Sequence, residues 1–118
     1  MSWFRVGAVI CFLAVALGAF GAHAVRQILE VNQSRPLWNT AVLYQFLHGL
    51  AFLVLSLHNV NRFIYYLFLA GIFLFSGSLY LLALIPQARD WLGPITPLGG
   101  LCFLAGWAWL IIAPTKGL

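Results

Sequence analysis

The sequence predicts an all-α polytopic membrane protein, a four-transmembrane-helix antiparallel bundle that forms one domain over residues 1–118. Of the 118 residues, 64% are apolar and 7% are charged, whereas about 25% of the residues of a soluble protein are charged. The six basic and two acidic residues all lie outside four uncharged stretches, 6–25, 36–61, 63–88 and 91–115. Each stretch is long enough to cross a hydrocarbon core of about 30 Å as a helix.

The first predicted span, at about residues 6–25, is rich in small side chains. Ala14, Gly18 and Ala22 recur at four-residue spacing, a pattern that lets a second helix approach closely. The basic start, apolar run and small residues around 22–24 are also typical of a secretory signal. We expect the segment to be retained as a genuine first span.

The first gap is predicted to lie at the membrane surface. His23 is close to the end of the first span, and Arg26 follows three residues later. We expect both to be interfacial residues, His23 as a headgroup contact or as a cap of the helix C-terminus. Residues 26–31 alternate polar and apolar side chains at helical spacing, which predicts one or two interfacial helical turns.

The other three spans are predicted at about residues 38–58, 63–85 and 95–114. The short polar turn at 59–62 makes the second and third spans a tight helical hairpin. Glycines in these spans are predicted to mark close helix contacts rather than phosphate-binding loops. The helix-packing glycines are Gly77, Gly99 and Gly106, in addition to Gly18 in the first span.

The charged residues indicate that the chain lies in a membrane, but they do not indicate which side the termini face. The net charge of +4 comes from basic residues scattered over several gaps, which form no nucleic-acid-binding patch and suit the headgroup level of a lipid bilayer. Three basic residues fall on each predicted side of the membrane, so the positive-inside rule is balanced. We expect both termini in the cytoplasm.

His48 is the most unusual residue of the chain. It lies ten positions into the second span, about 15 Å deep and near the bilayer midplane. An ionisable side chain at this depth predicts a functional site. Other polar side chains of three spans fall close to its level: Tyr44, Gln45, Ser76, Ser78 and Cys102. Two interpretations stay open, namely hydrogen bonds that fix helix packing and a site for a ligand, an ion or a proton.

Catalysis and metal binding are not predicted. Glu30 and Asp90 lie in gaps and cannot form a carboxylate pair in the polar core. His23 and His48 differ in depth by roughly 10 Å or more, whereas a metal site holds its nitrogen ligands about 2.1 Å from the ion. The sequence therefore predicts no catalytic residue and no metal site, and it leaves any cofactor unknown.

Four motifs in order carry a resemblance to a known family. They are GAFGAHA at 18–24, WNTA with Tyr44, Gln45 and His48, FSGSLY at 75–80, and ITPLGG with AGW at 95–107. Together they resemble the YgdD-like (YwdK-like) family of small four-span bacterial inner-membrane proteins of uncharacterised function. The resemblance covers nearly the whole chain and implies a four-helix domain in a bacterial inner membrane. It implies no activity.

The function expected from these observations is non-enzymatic. The small-residue stripes of the first and fourth spans favour an accessory, assembly or self-associating subunit, with a homo-oligomer or another membrane protein as partner. The alternative is a ligand-handling protein that carries a quinone, haem, lipid, small ion or proton at the polar half-bundle around His48.

Overall fold

Four long helices dominate the computed structural model, which describes residues 2–113. In chain order the helices are α1 (Trp3–Ala22), α2 (Arg26–Val31), α3 (Arg35–Leu55), α4 (Arg62–Leu84), α5 (Arg89–Leu92) and α6 (Ile95–Ile112). α1, α3, α4 and α6 are each long and apolar enough to cross a membrane. The all-α, four-span fold class is therefore confirmed. Pro114, the last residue of the fourth predicted span, lies outside the described residues.

Capping groups set where the long helices begin. The Ser2 hydroxyl accepts a hydrogen bond from the Arg5 N–H at 3.2 Å, and the Asn61 side-chain oxygen accepts one from the Phe63 N–H at 2.9 Å. Each bond satisfies an N–H group that has no partner within its own helix. Pro36 lies in the first turn of α3, where a missing N–H costs little. α3 therefore begins at Arg35, before the predicted start of the second span.

A π-helical turn at Ile72–Ser76 interrupts α4. The Gly77 N–H bonds to the Ile72 carbonyl, five residues earlier. A π turn holds one residue more than an α turn, so the inward face beyond it is displaced by one position. The buried positions of α4 accordingly include Ile64 and Phe68 before the turn, Ile72 and Ser76 at its two ends, and Leu79 and Ala83 after it.

The link between α2 and α3 caps the end of α4. The Ser34 hydroxyl donates to the Ala83 carbonyl at 2.6 Å, and the Asn32 amide donates to the same oxygen at 3.0 Å. Carbonyls in a last helical turn lack partners within the helix, and Pro86 offers no N–H. Gln33 adopts the left-handed conformation (φ 53°) that ends α2 and brings Asn32 and Ser34 into place.

The long helices pack as two pairs. α1 lies along α3, α4 lies along α6, and α3 joins the pairs through its contact with α4. The larger core cluster lies between all four helices and includes Ile10, Phe52, Phe68 and Phe103. Large apolar side chains also cover the outside, as at Phe73, which is 74% exposed. An apolar exterior of this kind suits lipid as the solvent.

Candidate functional site

His48 is buried on α3, and both of its ring nitrogens are hydrogen-bonded. Nδ1 lies 2.8 Å from the Tyr44 carbonyl, which only accepts, so Nδ1 carries the proton. Nε2 lies 3.0 Å from the indole N–H of Trp107, which only donates. This pairing assigns His48 as a neutral imidazole with its proton on Nδ1.

Aromatic rings from α4 and α6 surround the His48 ring. Phe103 stacks on it with ring centroids 3.7 Å apart, and Phe68 meets it edge-on at 5.0 Å. Trp107 completes the enclosure with its ring centroid 5.8 Å away. His48 therefore joins α3 to α6 through both a hydrogen bond and ring packing.

Gln45, also buried, joins three helices. Its amide nitrogen donates to the Ile10 carbonyl of α1 at 3.1 Å, and its amide oxygen accepts from the Tyr80 hydroxyl of α4 at 2.7 Å. Both ends of the side chain are thus occupied by neighbouring helices. In lipid such interhelical bonds stabilise a bundle by about 0.6 kcal/mol each on average.

The two serines of α4 bond to different helices. The Ser76 hydroxyl donates to the Ala41 carbonyl of α3 at 2.8 Å. The Ser78 hydroxyl pairs with the Thr96 hydroxyl of α6 and also donates to the Phe75 carbonyl of its own helix at 2.9 Å. Both serines are buried, and each therefore contributes a hydrogen bond to an interface of α4.

The remaining two candidates of the polar half-bundle stand apart from this network. Tyr44 packs its ring on Phe75 at 4.7 Å and is 37% exposed, and its hydroxyl bonds to none of the residues that the structure describes. Cys102 is half-buried and is a free thiol, as is Cys11.

Three members of the network, Tyr80, Thr96 and Trp107, were not singled out from the sequence. Tyr80 and Thr96 look interfacial because they lie within a turn or so of a helix end, and Trp107 resembles an aromatic membrane anchor. Helical spacing is the signal that could have found them: Tyr80 lies four residues after Ser76 and Trp107 four residues after Phe103, so each pair shares a helix face.

Two of the glycines predicted to pack are in close helix contacts. A Cβ on Gly99 would meet the backbone of Leu74 and Phe75 in the π turn, and a Cβ on Gly106 would meet the Phe68 ring. A Cβ on Gly18 would lie 3.5 Å from Val42, an ordinary contact distance. A Cβ on Gly77 would meet only its own helix, 3.9 Å from the Ile72 carbonyl oxygen, and Ala22 is exposed. Gly7, which with Cys11 also has the four-residue spacing that predicts close helix approach, is in close contact with Phe52 and Gly49. Close contacts that the sequence reasoning missed are at Gly21, Gly49 and Gly71.

The two residues predicted to be interfacial lie where the first gap begins. His23 occupies the C-cap position of α1, and its backbone N–H bonds to the Phe20 carbonyl at 3.3 Å. Arg26 starts α2 and forms an exposed ion pair with Glu30 at 3.2 Å. An exposed pair of this kind adds little stability.

Two grooves open toward lipid beside α3. The outer groove, about 570 Å³ in volume, lies between α1 and α3 and is lined by residues that include Ala14, Gly18, Ala19 and Asn39. The midspan groove, about 480 Å³, lies between α3 and α6 and is lined by residues that include Tyr44, His48 and Trp107. Within residues 2–113, no group of three or more His, Cys, Asp or Glu side chains is placed to hold a metal ion.

Comparison with known proteins identifies the family. The family model DUF423, described as a protein of unknown function, matches residues 17–100. The chain belongs to the DUF423/UPF0382 membrane protein family. The resemblance to YgdD and YwdK is therefore confirmed, and the DUF423/UPF0382 protein is a multi-pass protein of the inner or plasma membrane.

Three relatives of this DUF423/UPF0382 protein illustrate the range of the family. The UPF0382 membrane protein YwdK of Bacillus subtilis is 39% identical, with 96% of this chain and 95% of YwdK covered. The UPF0382 inner membrane protein YgdD of Escherichia coli is 39% identical, with 89% and 82% covered. A UPF0382 membrane protein of Schizosaccharomyces pombe is 38% identical, with 95% and 100% covered. No solved structure matches the chain.

Proposed function

We propose that this protein is a non-enzymatic membrane subunit that acts by self-association, with the outer groove as the contact between two copies. The observation that carries the proposal is the Asn39 amide. Asn39 lies about 6 Å into α3, is exposed beside Gly18 and Ala19, and bonds to no side chain or carbonyl of the described residues. Small residues admit a second helix, and an amide next to them can bond across the contact.

Membrane insertion supports a second copy as the partner. Copies that insert with the same orientation relate to each other by an axis along the membrane normal, so a two-fold contact brings each residue to its own counterpart at equal depth. An asparagine amide both donates and accepts a hydrogen bond. Asn39 of one copy can therefore pair with Asn39 of the other copy.

The polar core supports a structural rather than a catalytic role. Gln45, His48, Ser76 and Ser78 are buried, and each bonds to a neighbouring helix. Bonded groups of this kind hold helices together. We also propose that both termini face the cytoplasm, which a reporter fused to the C-terminus would test by its activity on one side of the membrane only.

Substitution of Asn39 by leucine is expected to weaken dimerisation about tenfold, because it removes both amide bonds while keeping a similar volume. The measurement is energy transfer between labelled copies in liposomes over a series of protein-to-lipid ratios. Gly18→Ile, which fills the outer groove, should weaken the dimer as well, and Ala108→Ile on the exposed side of α6 is the matched control. A wild-type protein that stays monomeric at every ratio would contradict the proposal.

Ligand handling at the midspan groove is the second candidate function. Tyr44 lies about 13 Å along α3, near the midplane, and its hydroxyl has no partner among residues 2–113. An unpaired hydroxyl in hydrocarbon is costly. A lipid-soluble molecule with a carbonyl group, such as a quinone, would satisfy it. Haem, an ion or a proton would instead need His48, whose nitrogens already bond to Tyr44 and Trp107.

A quinone that co-purifies with the wild-type protein is expected to be lost from the Tyr44→Phe variant, since this change removes the hydroxyl and little else. Tyr66→Phe removes a hydroxyl from another exposed tyrosine and serves as the control. Solvent extraction followed by ultraviolet absorption measures the quinone. Equal occupancy in the two variants, or none in the wild-type protein, would count against this second function.

A further inference from the structure

A third cavity lies at the opposite end of α3 from Asn39, where α1 and α4 both begin. Its volume is about 380 Å³, and its lining includes Ser2, Trp3, Phe4, His58, Asn59 and Tyr65. These residues lie within about one turn of the start of α1, the end of α3 or the start of α4. The cavity is therefore at the level of the lipid headgroups.

One buried polar group of this cavity has no partner in the described part of the chain. Tyr65 is 3% exposed, and its hydroxyl bonds to none of those residues. Trp3 holds its ring in place by stacking at 4.4 Å, and Phe52 meets it at 5.1 Å. Helical side chains lean toward the helix N-terminus. The Tyr65 hydroxyl in the first turn of α4 therefore points toward the membrane surface.

The backbone around this cavity favours an anion. Trp3 and Phe4 start the 20-residue helix α1, and their N–H groups precede any carbonyl that could accept them within the helix. The Arg5 N–H, by contrast, is taken by the Ser2 hydroxyl. The N–H groups of Trp3 and Phe4 bond to none of residues 2–113. Such N–H groups, together with the positive end of the helix dipole, form an anion site.

The charged side chains at this end of the bundle are also positive. Arg5 lies in the first turn of α1, and Arg62 is the first residue of α4, both exposed at this end of the bundle. The two acidic residues of the chain, Glu30 and Asp90, lie in α2 and α5 at the other end. The cavity thus lies in a positive field that attracts anions at the membrane surface.

We propose that this surface cavity binds a phosphate group through the Tyr65 hydroxyl and the first N–H groups of α1, with Arg5 and Arg62 supplying charge. Its position at headgroup level makes a phospholipid one source of the phosphate, and a soluble phosphate compound is the other. The site is independent of the outer groove and of self-association, because it uses different residues at the opposite end of α3.

Native mass spectrometry of the full chain in neutral detergent tests the site. The probe is dioleoyl phosphatidic acid, and the control is dioleoylglycerol, which has the same acyl chains and no phosphate. Phosphatidic acid should be retained and dioleoylglycerol should not. Tyr65→Phe keeps the stacked ring and should weaken binding about tenfold, since it removes one hydrogen bond to a charged group. Tyr66 is the next residue and is exposed, so the Tyr66→Phe variant should bind phosphatidic acid as the wild-type protein does.

Inorganic phosphate added as a competitor distinguishes the two sources. Displacement of the lipid at millimolar phosphate would assign the site to a soluble phosphate compound, and unchanged retention would assign it to a phospholipid headgroup. A combined Arg5→Gln and Arg62→Gln variant should weaken either form of binding. Equal retention of phosphatidic acid and dioleoylglycerol, or equal binding by the Tyr65→Phe and Tyr66→Phe variants, would overturn the proposal.

Discussion

Gly99→Ala is expected to destabilise the bundle by about 3 kcal/mol, the upper part of the range for overpacking a well-packed interface. The added methyl group would lie 2.7 Å from the Leu74 carbonyl carbon and even closer to the Phe75 nitrogen. Both atoms belong to the backbone of the π turn, which cannot move aside as a flexible side chain can. α6 must therefore separate from α4 to accommodate the methyl group.

Gly100→Ala is the matched control for this prediction. It makes the same chemical change one residue away, where the new methyl group would meet only the Phe75 ring at 3.9 Å. Alanine also favours a helix over glycine by up to about 1 kcal/mol, so this variant should be neutral or slightly stabilised. Unfolding by sodium dodecyl sulfate in mixed micelles, followed by circular dichroism, measures both. Equal stabilities of the two variants would refute the close contact at Gly99.

His48→Ala is expected to cost about 3 kcal/mol, because it leaves a cavity beside Phe103 and an unpaired Trp107 N–H. His48→Phe keeps an aromatic ring and loses the two hydrogen bonds, which should cost about 1–2 kcal/mol. The difference between the two variants separates ring packing from hydrogen bonding. The same detergent unfolding titration provides both values.

A double-mutant cycle isolates the bond between α3 and α6. His48→Phe and Trp107→Phe should couple by about 0.6 kcal/mol, the average that such cycles give for interhelical bonds in membranes. Trp109→Phe is the control, since Trp109 stacks on Phe63 at 6.2 Å and forms no bond with His48. Coupling of His48 to Trp109 as large as to Trp107 would show that the direct bond is not its source.

The hydrogen bonds of His48 change which polar residues are candidates for binding. A single titratable ring near the bilayer midplane favours a ligand or proton site when only the sequence is considered. In the folded chain both of its nitrogens are occupied. Three polar side chains with no partner among residues 2–113 lie elsewhere: Tyr44 in the midspan groove, Asn39 in the outer groove and Tyr65 in the surface cavity. Each of these three carries a separate, testable proposal.

The fold class was determined by the sequence alone, because the cost of charge in hydrocarbon forces charged residues into the gaps between spans. Arg26, Arg62 and Arg89 therefore mark the gaps directly in the sequence, and the polar residues around His48 can be selected by their depth. Helix boundaries depended on local capping, as at Ser2 and Pro36.

Only the tertiary structure decided which polar groups meet and which glycines lie in contacts. In lipid all faces of a span are apolar, so hydropathy does not indicate which face turns inward, and the π turn at Ile72–Ser76 shifts that face within α4. Tyr80 and Trp107 were missed because their partners, Gln45 and His48, lie on another helix. Sequence spacing describes neighbours along one helix, whereas the contact between helices is a property of the folded bundle.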